Sequence, residues 1–68
     1  MNFEEFDKEL IKFGYGIVAM NHFDLKGQRF IYCAIFNKKE NKAYVEEDVK
    51  SSDLFRTLIE KIKKDMNK

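Results

Sequence analysis

Hydrophobic residues recur along this chain at two different periods, and the switches between those periods divide it into five elements. Phe3, Phe6, Leu10 and Phe13 lie three or four residues apart, which predicts a helix over 3–13 with one aromatic-rich stripe. Asn2 is placed to cap that helix, and Glu5, three residues on, can return a bond to the cap's own N–H. Glu4 and Lys8 form an i,i+4 pair on the solvent side, and Gly14 supplies the left-handed residue that ends the helix.

From Tyr15 onward the period drops to two. Tyr15 to Phe23 predicts a strand in which Ile17 and Ala19 alternate with Val18 and Met20, so neither face is plainly polar. Asp24-Leu25-Lys26-Gly27 predicts a hairpin loop, Gln28 to Asn37 a central strand, and Asn37 to Asn41 a second, polar turn. Lys42 to Glu47 predicts a third strand, with Ala43 and Val45 on one face and Lys42, Tyr44 and Glu46 on the other. The helical period then returns in Leu54, Phe55, Leu58, Ile59, Ile62 and Met66. Ser51, Ser52 and Asp53 offer capping oxygens at the start of this second helix; Lys61, Lys63 and Lys64 suit its C-terminal dipole, and fraying is expected after Asp65. With no linker or repeat, residues 1–68 predict a single α+β domain of order α-β-β-β-α: a three-stranded antiparallel meander with two helices packed on the sheet.

The central strand QRFIYCAIFN sets the main question. Ile31, Cys33 and Ile35 occupy one register and Phe30, Tyr32, Ala34 and Phe36 the other, so both faces are apolar. Two short helices laid on one face leave the other bare. Helices straddling the sheet would cover both. The first arrangement is expected; the pattern leaves both registers as candidates for the bare face, and one carrying Phe30, Tyr32 and Phe36 is the candidate contact surface for a protein partner or for a second copy as a homodimer.

Composition narrows the function classes. At 68 residues the chain is close to the size at which a single core is marginal, and Cys33, the sole cysteine, can form no internal disulfide. That fits a reducing interior or simply a chain without a disulfide framework. No apolar run reaches about 18 residues, and the N-terminus is acidic and amphipathic, so neither a membrane span nor a signal peptide is expected and the cytoplasm is the expected location. Thirteen Lys+Arg against twelve Asp+Glu argue against direct binding of a nucleic-acid backbone. An aromatic share of 15% argues against disorder.

Candidate chemistry is sparse. His22 has Asp24 on the same strand face, but catalysis needs further partners within hydrogen-bond reach, and a surface hairpin histidine is the simpler reading. Cys33, among large apolar residues, reads as a small buried hydrophobe. One histidine and one cysteine do not make a metal site, and Gly14-Tyr15-Gly16 lacks the length and the Lys-Ser/Thr of a phosphate loop. No catalytic residue, metal or cofactor is assigned, and an enzyme is not expected. Two charge clusters remain. Lys38, Lys39 and Lys42 gather on one turn, either as a solubilising loop or as a nucleic-acid contact. Glu46, Glu47 and Asp48, with Asp53 nearby, read either as a solvated strand end or as a patch for a basic partner, such as a nucleic-acid-binding effector complex.

The element order resembles three groups. It is similar to the double-stranded-RNA-binding domain over the whole chain, although Ser51-Ser52-Asp53-Leu54-Phe55 stands where that family carries lysines. It is similar to HicA-type ribonuclease toxins in Gly14-Tyr15 after the first helix, with His22 in Met20-Asn21-His22-Phe23 as the histidine to be carried over. It also resembles small phage proteins that inhibit CRISPR nucleases, through Asn41-Lys42-Ala43-Tyr44-Val45-Glu46-Glu47-Asp48 leading to Leu54-Phe55. That last resemblance implies carboxylates imitating phosphates, with Glu46, Glu47, Asp48 and Asp53 in that role. The resulting expectation is a non-enzymatic protein that occupies a partner protein's surface, in the manner of a phage-type inhibitor of a CRISPR or other host-defence complex. The alternative is an RNA-binding module or HicA-like ribonuclease working through His22, Lys38, Lys39 and Lys42.

Overall fold

The computed structural model describes residues 1–67. It contains α1 (Phe3–Phe13), β1 (Gly16–Leu25), β2 (Gln28–Asn37), β3 (Lys42–Asp48) and α2 (Ser51–Met66). The strands form one antiparallel sheet in the order β1-β2-β3, and both helices lie on the same side of it. This is the predicted α+β meander.

α1 begins and ends as its sequence dictates. The Asn2 side chain accepts from Glu5 N at 2.8 Å while Glu5 Oε1 accepts from Asn2 N at 3.2 Å, so two orphan donors are satisfied reciprocally. Gly14 closes the helix at φ 86°, a left-handed conformation that a side chain would strain. Phe6 and Leu10 are buried, and the Phe6 ring stacks on Phe55 of α2 with centroids 4.3 Å apart. Phe3, at the end of the stripe, is half-exposed and meets the same Phe55 ring edge-on. These aromatic contacts clamp the two helices together.

The β1–β2 hairpin is tighter than predicted. Both strands run on until only Lys26 and Gly27 remain in the turn, at φ 51° and 76°. Two successive positive φ values define a turn whose twist matches that of its flanking strands, so Asp24 and Leu25 belong to the strand rather than to the loop. Tyr15 is the opposite case. It lies before β1, buried, with its N–H donated to Leu10 O at 2.8 Å.

A β-bulge resolves the ambiguous face of β1. Ile17 pairs with Ile35 and Ala19 with Ala34, leaving Val18 as the extra residue. Simple alternation would send Ile17 and Met20 to opposite faces; the inserted residue lets both pack against the core, while Val18 is exposed.

α2 departs from expectation at both ends. Ser51 and Ser52 are already helical, the N-cap is Lys50, and no side chain caps it. Asp48 instead organises the approach, its Oδ1 accepting from Val49 N at 2.7 Å. Asp53 does occupy the first turn, where its charge favours the helix dipole. At the other end the helix continues through Met66, whose side chain is exposed rather than part of the buried stripe. The core is Phe6 and Leu10 of α1, Ile31, Cys33 and Ile35 of β2, and the Leu54–Ile62 stripe of α2.

Candidate functional site

Because Ile31, Cys33 and Ile35 meet the helices, their alternating neighbours on β2 face away, and no element of the described chain covers them. Pairing across the strands assembles that outer face. Phe23 of β1 stands opposite Phe30 and stacks on it, rings 5.3 Å apart and within 13° of parallel. Tyr32 lies between Asn21 and Glu47, Ala34 between Ala19 and Val45, and Phe36 between Gly16 and Ala43. Val45 is 50% exposed and Leu25, at the hairpin end of the face, 55%. Glu47 is the only formally charged strand residue on this side.

Pairing with β2 fixes which face of β3 meets the helices. Its more polar register, Lys42, Tyr44 and Glu46, faces α2, and its apolar register, Ala43 and Val45, faces solvent. A polar seam makes this tolerable. The Tyr44 hydroxyl donates to Asp65, Lys42 Nζ lies 3.8 Å from the same carboxylate, and Lys61 Nζ lies 2.5 Å from Glu46 Oε2. The Tyr44 ring also packs against the core and beside Tyr15, at 5.9 Å between centroids. Bonding to the Asp65 carboxylate, followed by burial, raises the Tyr44 pKa well above the ordinary tyrosine value.

The structure separates the predicted charge clusters. Within the acidic run, Glu46 pairs with Lys61, Asp48 serves its own loop, Asp53 pairs with Arg56 at 2.9 Å, and Glu47 alone joins the open face. Lys38 and Lys39 stand in solvent on the β2–β3 turn, whereas Lys42 turns toward Asp65. Of the predicted contact residues, Phe30, Tyr32, Phe36 and Glu47 are the ones brought onto one surface, the three rings each half-buried by their neighbours. Phe23, Val45 and Ala34 complete that surface. Their contribution follows from strand register, which only pairing supplies.

The remaining candidates for chemistry are placed as follows. His22 is exposed, and Asp24, on the same face, lies 3.9 Å from Arg29. His22, Arg29, Ile31, Val49 and Ser51 line a hollow of about 250 Å³, and a second of about 230 Å³ opens beside Tyr15 and Lys42. Both fall below the roughly 300 Å³ at which small-molecule sites begin. Cys33 is fully buried, and desolvation pushes its thiol up to about 11, away from nucleophilic reactivity. Among the described residues, no three His, Cys, Asp or Glu side chains gather as a metal site would need. No helix of the described residues is long and apolar enough to cross a membrane. Asn37 is a residue the sequence pattern does not single out. It is 5% exposed, donates from Nδ2 to Phe13 O at 3.3 Å and accepts at Oδ1 from Glu40 N at 3.0 Å. It thereby ties the end of α1 to the β2–β3 turn.

Fold and surface together define a small α+β domain with one helix-covered and one uncovered, aromatic sheet face. The chain matches no protein-family model, no curated protein and no solved structure.

Proposed function

We propose that this chain is a non-enzymatic binding protein that acts by laying its open sheet face on the surface of another protein. The observation that carries this reading is the orientation of β3. β3 packs Tyr44 on the core and sets Lys42 and Glu46 beside α2, which leaves Ala43 and a half-exposed Val45 on the uncovered face next to Tyr32, Ala34 and Phe36. The resulting face is contiguous, aromatic and nearly free of charge, which is the make-up of an interface centre rather than of ordinary surface. The partner surface it fits is correspondingly apolar and weakly charged. An inhibitor that masks part of a host-defence complex is the form of this function that the resemblance in element order favours. Glu47, at the edge of the face, is then the one carboxylate of the acidic run positioned to take part.

Affinity capture from a lysate of the source cell, with the captured protein identified and then purified, tests the proposal. Val45→Lys should abolish binding of the purified partner, whereas Ile11→Lys, at a 67%-exposed position on α1, should leave it unchanged. Equal binding by wild type and Val45→Lys would overturn it.

A further inference from the structure

The β1–β2 hairpin is longer than the sheet that supports it. β3 stops opposite Ile31, so the pairs Phe23–Phe30, Asp24–Arg29 and Leu25–Gln28 project as a two-stranded ribbon. His22 and Asp24, on the helix side, are exposed, so neither helix roofs this end, and a bare two-stranded ribbon is marginal in water. Its β1 edge is also unguarded. β3, the opposite edge of the sheet, carries Lys42, Glu46, Glu47 and Asp48, charges that discourage further pairing. β1 has Asp24 as its one formal charge, and its bulge, at Val18, lies away from the tip. We infer that this edge pairs with the same edge of a second copy, antiparallel, about a two-fold axis normal to the sheet at Phe23.

The turn fixes which backbone groups are free. With positive φ at Lys26 and Gly27, Leu25 and Gln28 form the hydrogen-bonded pair that closes a two-residue hairpin. Bonded and non-bonded pairs alternate from there, so Phe23 and Asn21 direct their N–H and C=O groups to β2, and those of Asp24 and His22 point out to the edge. An antiparallel partner must therefore bond Asp24 and His22. The two-fold at Phe23 sets His22 of each copy opposite Asp24 of the other, an imidazole beside a carboxylate at both ends of the contact. Arg29 flanks Asp24 within the same copy, at 3.9 Å. On the other side of the sheet Phe23 meets its own counterpart and joins the two Phe23–Phe30 stacks into one row. Centred on His22 or Asp24, the axis would oppose that residue to itself; centred on Asn21, it would draw in the bulge at Val18. The axis at Phe23 also keeps the cores of the two copies apart, because Ile17 and Met20 pack on the core at the far end of β1. The contact spans only Asn21 to Leu25 of each copy, smaller than a standard interface, so the dimer forms at high concentration and dissociates on dilution.

Sedimentation equilibrium of the full chain tests the dimer. Between low micromolar and near-millimolar concentration, the mass should climb from 8.2 kDa toward twice that value. At the upper concentration the His22 and Asp24 amides, which point away from β2, should exchange with solvent several-fold more slowly than in dilute solution. His22→Asp sets carboxylate against carboxylate, and Asp24→Lys removes the acceptor; each alone should raise the dissociation constant several-fold. Mixed in equal amounts, the two variants should return toward the wild-type value, because the introduced carboxylate then faces the introduced ammonium while the other pair is native. Both positions are exposed, and recovery on mixing excludes misfolding as the cause of the loss. Val45→Lys, two strands from this edge, should leave self-association unchanged, so the dimer and the open-face reading stand or fall separately. An unaltered chain that stays monomeric, a dimer without slowed His22 and Asp24 amides, or a mixture as weak as each variant alone overturns the inference, as does a dimer that Val45→Lys dissociates.

Discussion

Ile35 and Val45 sit on opposite faces of the same sheet, and substituting each tests the orientation on which every functional statement depends. Ile35 is fully buried between the sheet and the helices. Ile35→Ala removes buried methyl and methylene groups and leaves a cavity, a change that costs about 2–5 kcal/mol. A chain of 68 residues has a total stability of only about 3–10 kcal/mol. The variant should thus lose a large fraction of its stability, with a melting temperature lowered by roughly 10 °C or more. Val45→Thr replaces a methyl by a hydroxyl of similar size at a half-exposed position on the other face, where water can satisfy it. Its cost should stay below about 1 kcal/mol. Urea unfolding followed by far-ultraviolet circular dichroism measures both on one scale. If Val45→Thr proved the more destabilising of the two, the helices would lie on the other face and the proposed contact surface would be core.

Asn37→Ala should cost about 1–3 kcal/mol by urea unfolding, because a buried side chain that bonds both Phe13 O and Glu40 N is lost. An unchanged midpoint would mean the tie is not formed. Cys33 should react with a thiol reagent at pH 8 only as fast as the chain opens, since its folded pKa of about 11 exceeds the ordinary 9.0 and its side chain is inaccessible; rapid labelling of the folded protein would contradict its placement. Both Cys33 and Tyr44 have folded pKa values raised above their unfolded ones, so the stability they contribute is complete below pH 9 and is lost as pH climbs through the folded values. Tyr44→Phe should accordingly flatten the part of that alkaline decline lying above pH 10; an unaltered decline would show that the bond to Asp65 has no influence on Tyr44 ionisation. Gly27→Ala, at φ 76°, should destabilise the hairpin by about 1 kcal/mol, and a gain in stability would argue against the observed turn.

Local signals account for much of the architecture. The Asn2–Glu5 box, Gly14 and the helical spacing of Phe6 and Leu10 each act within one turn of chain, so α1 is legible from its letters and forms between the residues expected. The same holds for the type and order of the five elements. Strand phase is different. At Val18 a single unpaired residue shifts the alternation, and nothing within β1 announces it, because a bulge is a relation between two strands. The start of α2 was obscured by three good capping residues in succession; the bonds of Asp48 to the preceding loop let the helix begin ahead of where they would have capped it.

The candidate site divides along the same line. That β2 is apolar on both registers is a property of the sequence itself, and it makes Phe30, Tyr32 and Phe36 candidates for an open face without excluding Ile31, Cys33 and Ile35. Which register turns inward was decided by packing. Ile31, Cys33 and Ile35 fill the space beneath α2 together with Leu54, Leu58 and Ile62, while α2 offers Lys61 and Asp65 where β3 presents Glu46, Lys42 and Tyr44. The Tyr44 ring packed on the core, with those pairings beside it, accompanies leaving Ala43 and Val45 outward, an arrangement no single strand encodes. The sequence by itself thus determined the elements, their order and an excess of apolar strand surface. Only the tertiary structure, by pairing strands and setting one helix against one edge, decided where that excess lies.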